Sequence, residues 1–88
     1  MKLKKEIKDL ISLGEPTVKM LLVLLNKYGF EDFSQSYRSL AKEQRMTFVN
    51  VYYHFGKLEK YGFLIADKRD QQKYVYHLNE HIRGLLNE

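Results

Sequence analysis

The amino-acid sequence predicts a mainly α-helical domain with a small β-hairpin, an α+β fold. Apolar residues recur at helical spacing over most of the chain, and helix-starting Ser or Thr and helix-ending Gly stand at the borders of those segments. The stretch 63–78 departs from this pattern: two short β-prone runs flank a polar turn at 67–72. A chain of 88 residues is long enough for one domain with one core and too short for two.

Leu3, Ile7, Leu10 and Ile11 fall at i, i+4, i+7 and i+8, giving the stripe of an amphipathic first helix within 1–13, with lysines on its other face. Gly14 suits a left-handed cap that ends it, and Pro16 suits the first turn of a second helix. That helix runs through Val18, Met20 to Leu25 and Tyr28. It is apolar round most of its circumference and is predicted to be the central core helix, buried on more than one side. Gly29 ends it, and residues 30–35 form a short link with room for an edge strand.

Ser36 is the N-cap of a third helix from Tyr37 to about Gln44, with Leu40 and Ala41 facing inward. Thr47 caps a fourth, which carries Val51, Phe55 and Leu58 at i, i+4 and i+7 and closes at Gly62. Phe63 to Ala66 and Lys73 to Leu78 are predicted strands. Asn79 caps a last short helix within 79–88 that bears Ile82, Leu85 and Leu86. No repeat, linker or low-complexity segment interrupts residues 1–88, which are expected to form a single domain.

Apolar residues make up 44% and charged residues 30%, a globular balance, and the net charge of +4 draws polyanions to the surface. The chain has no cysteine, which excludes disulfides, thiolate metal sites and cysteine nucleophiles. Its longest apolar run, Met20 to Leu25, is far short of the roughly 20 residues that cross a bilayer. The N-terminus lacks an apolar segment with a cleavage site, so a cytoplasmic location is expected. No nucleophile with its base and no carboxylate pair can be specified, and catalysis is not expected.

Two helices, a short link, two more helices across a tight turn, a hairpin and a final helix form the order of a winged helix-turn-helix. In it, the second helix of the motif is presented to a major groove. The motif occupies 36–62, with its recognition helix at about 47–61, and the wing hairpin occupies 63–78 with its tip at 67–73.

The residues themselves fit this order. Ser36-Tyr37-Arg38-Ser39-Leu40-Ala41, Met46-Thr47 and Val51-Tyr52-Tyr53-His54-Phe55-Gly56-Lys57-Leu58-Glu59-Lys60-Tyr61-Gly62-Phe63-Leu64 resemble the pattern of ArsR-type and MarR-type repressors. Leu13-Gly14-Glu15-Pro16-Thr17 and Tyr76-His77-Leu78-Asn79 resemble its flanks, so the resemblance covers nearly the whole chain. It implies a homodimeric transcriptional regulator, a repressor before an activator, bound to double-stranded DNA. In one place the chain departs from the pattern: Arg45 stands at a turn position where the family often has Gly, and a left-handed backbone there would cost roughly 1 kcal/mol or more.

With Val51, Phe55 and Leu58 inward, the N-terminal part of the fourth helix offers Phe48, Val49, Asn50, Tyr52 and Tyr53 for base readout. Phe48 and Tyr52 are equally suited to packing against the preceding helix; Tyr53 has little core to join. Asn can pair with adenine, and apolar groups can touch a thymine methyl. Ser36, Arg38, Lys42, Arg45, Thr47 and Lys57 are the candidates for phosphate contacts. In the hairpin tip, Lys68, Arg69 and Lys73 are placed to enter or flank a minor groove.

Leu3, Ile7, Leu10 and Ile11 at one end and Ile82, Leu85 and Leu86 at the other exceed the obvious needs of one small core and are expected to form a dimer interface. The competing arrangement has both terminal helices covering their own core. His54 is expected to border the core. His77, Glu80, His81 and Glu88 carry metal-ligating groups, and some ArsR-type repressors sense metals on terminal helices. They match no metal motif of that family, and neither a metal nor a cofactor is expected. The main rival to DNA binding is a winged helix that binds another protein, because Phe48, Val49, Tyr52 and Tyr53 make the exposed face unusually apolar. A membrane-surface role for the first helix is weaker, since a dimer uses its stripe more economically.

Overall fold

The computed structural model describes residues 5–86, with side chains described over 7–85. Its elements in order are α1 (Lys5–Leu13), α2 (Glu15–Tyr28), α3 (Tyr37–Gln44), α4 (Phe48–Lys60), β1 (Leu64–Asp67), β2 (Val75–Leu78) and α5 (Ile82–Leu86). The chain is mainly helical with a small antiparallel sheet, the α+β class that its periodicities predict.

Local chemistry sets most helix ends. Ser36 and Thr47 are both extended N-caps whose hydroxyl oxygens accept the N–H groups of Ser39 and Asn50, each at 3.1 Å. At the end of α4 the N–H of Phe63 reaches the carbonyl of Leu58 at 2.9 Å and that of Gly62 reaches Glu59 at 3.1 Å, the paired bonds of a Schellman cap. The same cap closes α3, where Met46 N–H bonds to Ala41 O at 2.9 Å. The left-handed residue there is Arg45, at φ 54° and ψ 47°, so a side chain occupies a conformation that normally selects Gly.

Gly14 acts differently from expectation. At φ 83° and ψ 155° it is not a left-handed end of α1 but the N-cap of α2, a backbone conformation that glycine alone adopts easily. Pro16 follows in the first turn of α2, where a missing N–H costs no helical bond.

Thr17, Met20, Leu21 and Leu24 of α2 are buried, and α2 packs on α4. α2 packs against α1 as well as α4, yet it is not covered all round: Leu22 is 49% exposed. Val51, Phe55 and Leu58 of α4 join Leu24, Phe63 and Leu78 in the fully enclosed centre of the core. Burying each such side chain is worth about 1.5–3 kcal/mol.

In the sheet, Leu64 pairs with Leu78 and Asp67 with Val75. Both strands are shorter or shifted relative to the apolar runs, since Phe63 is consumed by the α4 cap and Lys73 and Tyr74 belong to the turn. The link after α2 supplies a third edge: Phe33 and Tyr76 exchange two N–H···O bonds of 2.8 Å, and the Phe33 ring stacks on Tyr28.

Asn79 does not directly cap the last helix. Its Oδ1 accepts from His81 N–H and its Nδ2 donates to Gly62 O, so it fastens the chain to the end of α4, and α5 starts only at Ile82. Ile82 is 2% exposed and packs into the core of its own chain. It is therefore removed from the expected dimer interface. Leu3 and Glu88 lie outside the described residues, as does the side chain of Leu86.

Candidate nucleic-acid interface

α4 has one wholly buried face and one open one. Opposite Val51, His54, Phe55 and Leu58 stand Val49, Tyr52 and Tyr53, at 69%, 62% and 57% exposure, with Phe48 and Asn50 also exposed in the first turn. Val49, Tyr52, Tyr53, Gly56, Lys57, Lys60 and Tyr61 line a shallow depression of about 470 Å³ along this face.

Of the two arrangements open to Phe48 and Tyr52, packing against the preceding helix is present for both. Each ring touches Tyr37, with centroids 5.9 and 5.8 Å apart, while much of each side chain stays exposed. Tyr37 proves to be the hub of this region, although the sequence marks it only as the start of α3. Its ring also meets Phe55 edge-on at 5.0 Å, and its hydroxyl accepts from Tyr76 Oη at 3.0 Å. Burial, then this hydrogen bond, pushes the Tyr76 hydroxyl far above the usual tyrosine range.

Cations ring the open face. The Arg38 guanidinium sits 5.9 Å from the Phe48 ring centroid, Lys57 Nζ lies 5.6 Å from that of Tyr53, and Lys60 Nζ 5.7 Å from that of Tyr61. Lys42 in the last turn of α3 and Arg45 at its C-cap are exposed. Lys57 is half-buried, and its amine also approaches Gly14 at the α1–α2 junction, so it is less extended than a freely solvated lysine. The two carboxylates of α3 and α4 are both neutralised from outside these helices. Lys27 Nζ grips Glu43 at 2.7 Å, and Lys68 Nζ meets Glu59 at 3.0 Å. The bond to Lys27 holds the Glu43 carboxyl below its ordinary range, and the bond to Glu43 raises Lys27.

Behind this face, Thr17 Oγ1 and His54 Nδ1 form a buried hydrogen bond of 2.9 Å. His54 is 8% exposed, and burial, reinforced by the charge of Lys57, pushes its pKa down.

The hairpin tip differs from the free cationic probe that the sequence suggests. Lys68 folds back to Glu59 and lies over the Tyr74 ring at 5.6 Å. Arg69 Nε donates to both carboxylate oxygens of Asp67, at 2.9 and 3.0 Å, and this contact lowers the Asp67 pKa. Only a contact between distant segments could reveal the Lys68–Glu59 pair; the spacing of Asp67 and Arg69 in a tight turn was a visible signal for theirs. Lys73 is exposed and lines a recess of about 220 Å³ between the tip and the start of α3, with Ser36 and Gln72.

Away from α4, Ile11 is 66% exposed, Ile7, Leu10 and Leu85 are partly covered, and Leu22 is exposed. Leu10, Val18, Leu22, Leu25 and Leu85 line an apolar recess of about 170 Å³ between α1, α2 and α5. Among the described residues no three His, Asp or Glu side chains converge as metal ligands; His77 Nδ1 faces Asp32 alone, at 3.7 Å. Among the same residues no helix is long and apolar enough to cross a membrane. No known protein-family model matches this chain, and no curated protein matches it.

Proposed function

We propose that this chain is a winged helix-turn-helix protein of the ArsR-type or MarR-type kind, which binds double-stranded DNA in the cytoplasm as a homodimer and regulates transcription, as a repressor before an activator. α3 and α4 are then the helix-turn-helix, α4 the recognition helix, and β1–β2 the wing. The observation that carries this reading is the outer face of α4: exposed Val49, Asn50 and Tyr53 at its N-terminal end, Arg38 and Lys57 against its Phe48 and Tyr53 rings, Lys42 and Arg45 exposed at the end of α3, and Glu43 and Glu59 already paired. Cations around a helix whose first turns are uncovered suit a polyanion with a groove.

The test is binding to mixed duplex fragments across a salt series, with a Lys57→Ala, Arg69→Ala double variant alongside. Steep loss of affinity with salt, and a shallower slope in the variant, are expected from phosphate contacts. Absence of salt-sensitive binding at low ionic strength overturns the reading.

The homodimer is proposed from Ile7, Leu10, Ile11 and Leu85, joined by Leu22, which leave an apolar surface along α1, α2 and α5. An Ile11→Glu variant is expected to sediment as a monomer with its helix content intact. A wild type that sediments as a monomer at micromolar concentration counts against the dimer.

A second reading, a winged helix that docks another protein, is favoured by the exposed Phe48, Val49, Tyr52 and Tyr53, because aromatic residues are enriched in protein interfaces.

A further inference from the structure

We propose that α4 reads thymine: the DNA sites of this chain are rich in A·T pairs and are recognised through thymine methyl groups. The inference rests on the duplex-DNA reading above and adds the class of sequence that the face accepts.

In the major groove each base pair shows its own chemistry. Guanine presents two acceptors, N7 and O6, which an Arg or Lys meets in a bidentate fashion, whereas thymine presents a C5-methyl and adenine an acceptor and donor that suit Asn. The first two turns of α4 contain Phe48, Val49, Asn50, Tyr52 and Tyr53, and thus an amide among apolar and aromatic groups, with no cation. The guanidinium and ammonium groups that could read guanine stand at the rim. Arg38 is on α3 against the Phe48 ring, Lys57 is a turn further along with its amine beside Tyr53 and Gly14, and Lys60 follows against Tyr61. Those positions suit phosphates at the groove edges.

An apolar centre discriminates by what it desolvates. Against G·C pairs, Phe48 and Val49 would strip water from O6, N7 and N4 and return no hydrogen bond, a net cost that only the Tyr52 and Tyr53 hydroxyls could offset. Against thymine the same side chains bury carbon on carbon. Val49 gains most, because its own chain leaves it 69% exposed. Asn50, in the same exposed turn, supplies the group that pairs with adenine on the opposite strand.

The test selects tight binders with the full chain from a pool of duplexes randomised over about 20 base pairs, the span of two half-sites one turn apart. The selected duplexes are then remade with uracil in place of thymine, which deletes the methyl groups and keeps the pairing. The selected pool is expected to be enriched in A·T pairs. Uracil is expected to weaken binding about fourfold for each methyl contacted, so roughly tenfold or more for a whole site. Val49→Ala is expected to shrink the difference between thymine and uracil duplexes. Enrichment of G·C pairs, or equal affinity for the thymine and uracil duplexes, overturns the proposal while salt-sensitive binding leaves the regulator reading standing. If no duplex is bound, both fall together, and the aromatic face belongs to a protein partner.

Discussion

Thr17 Oγ1 and His54 Nδ1 meet at 2.9 Å in the core between α2 and α4, so the helix with the open aromatic face is fastened from behind by a polar contact. His54 is held below its ordinary pKa of 6.5, first by burial and then by Lys57. The unfolded chain therefore takes up this proton more readily than the native one. Stability from this site is fully present above pH 6.5 and is lost as the pH falls from there toward the lower native value. The urea midpoint is expected to drop between about pH 7.5 and pH 5.5, and less so in His54→Asn. Thr17→Val, which leaves Nδ1 without its partner, is expected to cost about 1–3 kcal/mol at neutral pH. An unchanged midpoint in Thr17→Val would show that the contact contributes nothing.

Arg45 allows stability and binding to be separated. Arg45→Gly removes a side chain from a left-handed position, a gain of about 1–2 kcal/mol that the greater freedom of Gly in the unfolded chain partly offsets. The expected outcome is a higher denaturant midpoint with the same m-value. On the DNA-binding reading, the slope of log affinity against log salt falls by about 1 in the same variant. A lower midpoint would mean that the Arg45 side chain makes stabilising contacts that outweigh its backbone strain.

Tyr37→Phe keeps the ring that Phe48, Tyr52 and Phe55 touch and removes the oxygen that accepts from Tyr76. The buried Tyr76 hydroxyl is then left without its acceptor, at a cost of about 1–3 kcal/mol. A calorimetric scan is expected to show Tm lower by about 4–8 °C for each kcal/mol lost.

Asp67 competes for Arg69. Asp67→Asn abolishes the charge of the clasp, and on the DNA-binding reading the variant binds duplex more tightly than the wild type and loses affinity more steeply with added salt. Adding Arg69→Ala to that variant is expected to cancel the gain. Unchanged binding by Asp67→Asn alone would place the hairpin tip away from the DNA.

The parts of the fold governed by near neighbours were legible. Ser36 and Thr47 start their helices, Gly62 ends α4, and Val51, Phe55 and Leu58 are buried as their spacing requires. Val49, Tyr52, Tyr53 and Lys60 of α4 are likewise exposed where a helical wheel puts them, whereas Lys57 is half-buried. What escaped depends on distant partners. Ile82 is as apolar as an interface residue, but which surface it covers is decided by α5 folding back over Phe63 and its neighbours. Lys68 reads as a free cation until Glu59 is found beside it, and Tyr37 reads as an ordinary first helical residue until Tyr76 arrives from the sheet. Asn79 has the chemistry of a cap but spends it on Gly62 and a turn.

Tyr37 joins the start of α3, the outer side of α4 and the second strand of the hairpin through one ring and one hydroxyl. A helix and a hairpin clamped at a common point cannot tilt independently. On the DNA-binding reading, the protein then acts as a fixed gauge and the duplex must adjust to it, by roll or by narrowing of a groove. Steps that deform cheaply, such as TA and CA, would let a site fit that gauge even at base pairs that no side chain touches.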